Sequence, residues 1–253
     1  MNFSDFDQKS YKPQTELLKD KVILVTGAGD GIGRAAAKAY AHHGATLILL
    51  GKTTGKLEQT YDAIEKAGGA IPAIYPMDLQ GATPKDYQKL AEVLTREFGR
   101  LDGLLHNASY LGTLSPIENQ DIETWYKVQQ VNVNASFMLT QSCLPLLKAA
   151  DSASVIFTSS AVGRKARAYW GAYAVSKFAT EGLMQVLADE LESNTKVRSN
   201  SINPGATRTS MRADAYPAED PSSLKTPEQI MPVYLYLMGA DSCNVNGQAL
   251  NAQ

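Results

Sequence analysis

Cysteine and histidine are scarce in this 253-residue chain. The two cysteines, Cys143 and Cys243, stand far apart and form no redox or metal spacing, which fits a reducing compartment. His42, His43 and His106 are the only histidines, so no metal site is expected. Neither sign of charge dominates: 24 Lys and Arg against 26 Asp and Glu leave a net charge of -2. That balance removes the electrostatic case for nucleic acid or an anionic membrane as a partner. No run of about 18 apolar residues is present to span a bilayer. The opening "MNFSDFDQKSYKPQTELLKD" lacks the apolar centre of an export signal. A cytoplasmic protein is expected, with small molecules or further copies of the chain as its partners.

What the chain does have is a regular alternation. Short β-branched or leucine-rich runs ("KVILVT", "ATLILL", "LDGLLHN", "SVIFTSS", "KVRSNSINP") are separated by longer helical patterns such as "GRAAAKAYAHHG" and "PKDYQKLAEVLTREFG". One long helical pattern runs from about Asp121 to Lys148, and another begins near Trp170. Nearly continuous apolar strands between helices predict an α/β fold: a doubly wound parallel sheet, the Rossmann fold, in a single domain. Residues 1–20 read as a polar arm and residues 21–253 as the dinucleotide-binding catalytic domain. From about residue 205 to 226 the period is lost, which predicts a substrate loop or small helical lid over the carboxyl ends of the strands, where such sheets bind ligands.

Several motifs fall on that edge. "TGAGDGIGR" joins the first strand to the first helix, where glycines allow a tight turn and close approach of a diphosphate to helix N-terminal amides. Asp78 and Leu79 end the third strand, and Asn107 and Ala108 the fourth. Asn132 lies inside the long helix, where a buried amide needs partners, and its neighbour Asn134 leaves the choice between them open. In "SSAVGRKARAYWGAYAVSK", Tyr173 and Lys177 lie one helical turn apart with Ser160 upstream, so an ammonium can sit near a phenol and favour its ionised form.

In order and spacing, five linked motifs resemble the short-chain dehydrogenase/reductase family from about Lys21 to Leu250: Thr26-Gly27-x-x-x-Gly31-Ile32-Gly33, Asn107-Ala108, Asn132, Ser160 with Tyr173-x-x-x-Lys177, and Pro204-Gly205-x-x-x-Thr209. More narrowly, "FATEGLMQVLADE" and "INPGATRTSMR" resemble the YciK-type oxidoreductases of bacteria. The resemblance implies an NAD(P)-dependent oxidoreductase acting on a carbonyl or alcohol. Tyr173 would be the general acid/base, and Lys177 would hold the nicotinamide ribose and, together with the cofactor's positive ring, lower the tyrosine pKa. Ser160 would bind the substrate oxygen, and Asn132 would anchor a water relaying protons to Lys177. Gly27, Asp30, Gly31, Ile32, Gly33, Asp78, Leu79, Asn107 and Ala108 would line the cofactor site, with Pro204, Gly205, Thr207 and Thr209 at the nicotinamide amide. Tyr110, Arg164 and Trp170 are candidates for the substrate, with Arg164, Lys165 or Arg167 for an anionic group on it, against the plainer reading of these three as a solvated basic loop. Where the family has N-A-G, this chain has Asn107-Ala108-Ser109, so the backbone there needs no geometry reserved for glycine.

The end of the second strand bears on the cofactor. An acidic residue there would accept from a ribose 2'-hydroxyl and repel a 2'-phosphate; this chain has Gly51, then Lys52. NADP(H) is therefore expected over NAD(H), with Asp30 in the glycine turn the one charge against it. The family's dimerisation helices imply a homodimer or homotetramer. Two other readings use the same scaffold: a dinucleotide-binding regulator without turnover, and a lyase or epimerase.

Overall fold

Seven strands form one parallel sheet in the order β3-β2-β1-β4-β5-β6-β7 in the computed structural model, which describes residues 10–253. The strands are β1 (Val22–Thr26), β2 (Thr46–Gly51), β3 (Ala73–Pro76), β4 (Gly103–His106), β5 (Ala153–Thr158), β6 (Val197–Asn203) and β7 (Ala249–Asn251). The helices that cover them are α1 (Gly31–His42), α2 (Thr54–Lys66), α3 (Pro84–Phe98), α4 (Ile122–Gln129), α5 (Ala135–Lys148), α6 (Gly171–Glu192), α7 (Ser210–Ala215) and α8 (Met231–Met238).

The doubly wound expectation holds because the central strands are buried on both faces, β1, β4 and β5 along their whole length. All of β1 is buried. Ile23 and Val25 pack on the side of α1 and α8, while Val22 and Leu24 pack on the side of α3, α5 and α6. Strand order reverses direction between β1 and β4, and a crevice opens at their carboxyl ends. Local signals set the helix ends. In α3, Thr83 and Asp86 form a reciprocal capping box, Pro84 opens the helix, and Gly99 closes it at φ +72.

Three features refine the expectations, the second by taking the helical form of the expected lid. The long helix is not regular: α4 and α5 are joined by a π-helical turn, Gln130–Asn134. The substrate loop contains the short helix α7 and an isolated bridge between Thr207 and Lys225. Beyond it, α8 and β7 complete the core. The buried Arg198 of β6 donates to the carbonyls of Leu237, Gly239 and Ser242, so a cation serves the carbonyls that end α8.

Residues 1–9 of the expected arm lie outside the described residues. The rest of it packs on the body: Leu18 is buried, and the Tyr11 hydroxyl donates to Asp241 at 2.7 Å.

Candidate functional site

The glycine turn forms the floor of a cleft of about 640 Å³ at the carboxyl ends of the strands. Gly27 adopts φ +67, which a side chain would strain. Gly33 is not on the cleft surface; it lies behind, where a Cβ would stand 2.2 Å from the Gly27 carbonyl oxygen. Its role is corrected from ligand contact to packing: it lets α1 start flush against β1. Thr26 fixes the neighbouring strand end, its hydroxyl accepting from the amides of Asn107 at 2.9 Å and Ala108 at 3.0 Å. Gly27, Gly29 and Gly31 therefore offer a side-chain-free cradle at a helix N-terminus, which fits a diphosphate.

One end of the cleft is lined by Gly51, Lys52, Thr53, Asp78 and Leu79. Asp30 is there too, and it is already engaged. It caps α1 by accepting from Gly31 at 2.8 Å, and it pairs with Lys56, which holds its carboxyl below the usual range. Lys56 itself lines the cleft and escaped the sequence reading. Its signal was a lysine in the first turn of α2, the positive end of that helix dipole, where an anion is wanted nearby.

At the centre, Ser160, Tyr173 and Lys177 converge on one wall. Helix α6 carries the tyrosine and the lysine on one face; Ser160 follows β5. The Lys177 ammonium donates to the Thr158 carbonyl at 2.8 Å and stands 5.4 Å from the Tyr173 ring centroid. The expectation that this lysine lowers the tyrosine pKa is not met in the protein alone. Burial pushes the Tyr173 hydroxyl up to about 12, against weaker opposing contributions from Ser109 and Ser160. Burial also lowers Lys177 to about 8, partly offset by the Glu181 carboxylate one turn on. Desolvation outweighs the pairing at both groups.

Asn132 sits in the π turn, 3% exposed, and its amide is fully used. It accepts from the Tyr110 amide at 2.8 Å and donates to the Tyr110 carbonyl and to Ser176 Oγ. The side chain thus ties the loop after β4 to α6. Asn134 instead donates to Gln130 in an exposed position, so the structure decides between the two asparagines.

Lys177 gives a pH prediction for the ligand-free protein. With a folded pKa near 8 and an ordinary value of 10.5, the unfolded chain binds more protons between those limits, so stability from this group rises with pH there. Lys177→Met removes the titration. Its stability advantage over wild type should be largest below pH 8 and shrink toward pH 10.5. Urea midpoints of the two proteins at rising pH measure this; a constant gap would contradict it.

The other end of the cleft is closed by Pro204, Gly205, Thr207, Thr209 and the α7 segment. Tyr110, Leu111 and Trp170 line it as well. Arg164 does not. Its guanidinium donates to Asn251 at 2.8 Å and to the Leu250 carbonyl at 2.9 Å, and it pairs with Glu181. The expected contact with an anionic substrate is replaced by a tie between α6 and β7, because the chain after Ser160 turns this arginine toward the sheet edge. Met211 and Arg212 line the cleft from the expected substrate loop, whereas Ser109 and Ser159 do so without having been foreseen as site residues. Ser109 was visible only as a departure from the family's glycine.

Comparison with known proteins agrees with this geometry. The family model described as short chain dehydrogenase matches residues 21–220. The uncharacterized oxidoreductase YciK of Escherichia coli K12 is 54% identical over 243 residues, 96% of each chain. A short chain dehydrogenase structure from Pseudomonas syringae superposes with a TM-score of 0.95 at 61% identity, covering 98% of this chain and 99% of that one. Another, from Shigella flexneri 2a and complexed with NADP, has a TM-score of 0.93 at 54% identity, covering 95% of this chain and 100% of that one.

Proposed function

The chain belongs to the short chain dehydrogenase family, and from that premise we propose that it is an NADP(H)-preferring oxidoreductase acting on a carbonyl or alcohol, with Tyr173 as proton carrier. The observation that carries the reading is the convergence of Ser160, Tyr173 and Lys177 on the wall of a cleft whose floor is a glycine cradle. The nicotinamide cofactor supplies or takes the hydride when bound. Tyr173, on the buried face of α6, gives the substrate oxygen its proton in reduction and takes it back in oxidation. Ser160 donates to that oxygen as charge develops. Lys177 would hold the ribose, and Asn132 acts indirectly by fixing the Tyr110 loop. The test is consumption of NADPH with a panel of diketones, aldehydes and quinones. No consumption with any of them, despite cofactor binding, would favour a regulator without turnover.

The preference for NADP(H) rests on charge at the Gly51 end. Asp30 is neutralised by Lys56, leaving Lys52 as the uncompensated cation near a ribose phosphate. The Shigella flexneri relative's NADP supports the same cofactor here. Gly51→Asp should cut the NADPH to NADH ratio of kcat/KM by about tenfold or more, since the new carboxylate repels a phosphate and accepts from a ribose hydroxyl. The added Cβ meets only the flexible Leu57 side chain, at 3.2 Å, so folding should survive. A ratio that stays put, or a wild type that favours NADH, would refute the pocket assignment.

A homo-oligomer is part of the same reading. Val175, Phe178 and Val186 form an exposed apolar stripe on α6, with Phe137 of α5 and Tyr126 of α4 also exposed. Light scattering at micromolar concentration should give a dimer or tetramer mass; a monomer would count against it. No helix among the described residues is long and apolar enough to cross a membrane.

A further inference from the structure

Which substrates the cleft accepts depends on the wall beside Tyr173. That wall is apolar: Leu111, Trp170 and Met211 pack against the small cluster of Val162, Tyr173 and Ala174. Trp170 lies 5.8 Å from the Tyr173 ring, and Tyr216 lies 5.9 Å behind it, so an indole face stands next to the phenol.

The arginines around this end are all committed to the protein. Arg212 alone among them lines the cleft. It makes two 2.6 Å hydrogen bonds to Glu219 and stacks 3.8 Å over the Tyr216 ring. Arg167 donates to the Tyr216 hydroxyl at 3.0 Å. Arg208 serves the carbonyls of Ser222 and Leu224, and Arg164 is turned to β7. Lys177, beside Tyr173, is committed to the Thr158 carbonyl at 2.8 Å, and the other lysines of the cleft belong to its far end: Lys52 and Lys56 flank Gly51, and Lys127 is one turn from Gln130, which donates to the Leu79 carbonyl. A carboxylate or phosphate on the substrate would have to displace Glu219 from a two-point pair, and would meet that carboxylate as a like charge.

Resting on the hydride-transfer reading above, we infer that the substrate is an uncharged, flat and largely apolar carbonyl compound, or the matching alcohol, laid against Trp170 with its oxygen toward Tyr173 and Ser160. Apart from the Lys177 ammonium, which the Thr158 carbonyl holds, the polar groups beside Tyr173 are the hydroxyls of Ser109, Ser159 and Ser160, and Ser159 Oγ is buried without a hydrogen bond among the described residues. Those hydroxyls suit one neutral oxygen, and the indole and thioether surfaces suit an aromatic or alicyclic ring.

The test uses the two tryptophans of the chain, Trp125 and Trp170. In a Trp125→Phe protein saturated with NADP, the indole N–H resonance of Trp170 is followed by NMR during titration with 4-isopropylacetophenone and with 4-acetylbenzoate. The two ketones match in shape and differ in charge. The neutral ketone should shift the resonance and bind at least tenfold more tightly than the acid. Trp170→Ala, followed by calorimetry, should lose about tenfold in affinity for the neutral ketone while NADP affinity stays within about threefold. Equal or tighter binding of the acid, or no shift with either ketone, would overturn the inference. Because turnover is not read, these outcomes are separate from a failure of the oxidoreductase assignment, which shows as absent NADPH consumption.

Discussion

Tyr173→Phe should lose about 10²–10⁴-fold in kcat while binding NADPH within about threefold of wild type. The substitution removes one oxygen and leaves the ring that packs with Trp170 and Val162. A loss of 10³ corresponds to about 4 kcal/mol of transition-state stabilisation, far more than a single neutral hydrogen bond contributes to folding. Ser160 cannot make up the difference. Its hydroxyl is too weak an acid to give a proton at neutral pH, and as a partner of Tyr173 it works by orienting the same oxygen. Steady-state rates and a fluorescence titration of NADPH separate the two effects. Activity within tenfold of wild type would remove Tyr173 from its role.

Gly33→Ala, behind the cleft, should be the most damaging single methyl in the glycine turn. The new Cβ would lie 2.2 Å from the Gly27 carbonyl oxygen and 2.6 Å from the Asn107 amide nitrogen. The closest of these neighbours is backbone, so the first turn of α1 has to move off β1. Overpacking of this kind costs about 1–3 kcal/mol, which for a chain of this size lowers Tm by roughly 2–12 °C. The displaced helix N-terminus also spoils the cradle, and NADPH affinity should fall about a hundredfold or more. Gly31→Ala makes a useful contrast: its Cβ meets only the Thr209 side chain, at 3.3 Å, and the strain is mainly that of φ +48. Thermal melts and cofactor titrations of both variants decide the matter. A Gly33→Ala protein with normal Tm and affinity would show that the close approach is not needed.

The parts of this molecule that could be read in its sequence share one property, a strong local signal. β1 is five consecutive buried residues, and α1 repeats small apolar residues before Gly44; both were legible. The Tyr173 and Lys177 pair was legible because helix geometry alone puts them on one face. By contrast, "MPVYLYLM" is buried almost all round, so its apolar residues carry no period, and α8 was missed. β7 has three residues, too few for any alternation to show. The misplaced Arg164 illustrates a different limit. Its neighbourhood to Ser160 in sequence was right, but its direction depends on Leu250 and Asn251, which only tertiary packing brings near. The raised pKa of Tyr173 in the ligand-free protein was illegible for the same reason: the pair with Lys177 is local, but the burial that dominates is contributed by the whole cleft.

The π-helical turn at Gln130–Asn134 is, in geometric terms, one residue more than a regular helix would hold. Removing a single residue there would restore unbroken α-helix from α4 into α5 without changing the direction of either flank. Removing one anywhere else along that helix would swing everything beyond it by roughly 100° about the axis. An insertion or deletion that most helices could not survive is therefore available to this chain at one place. A descendant that used it would keep its core and the exposed Phe137 where they are, and would lose only the orientation of Asn132 and its grip on Tyr110. The turn makes the geometry of the cleft heritable separately from the stability of the fold.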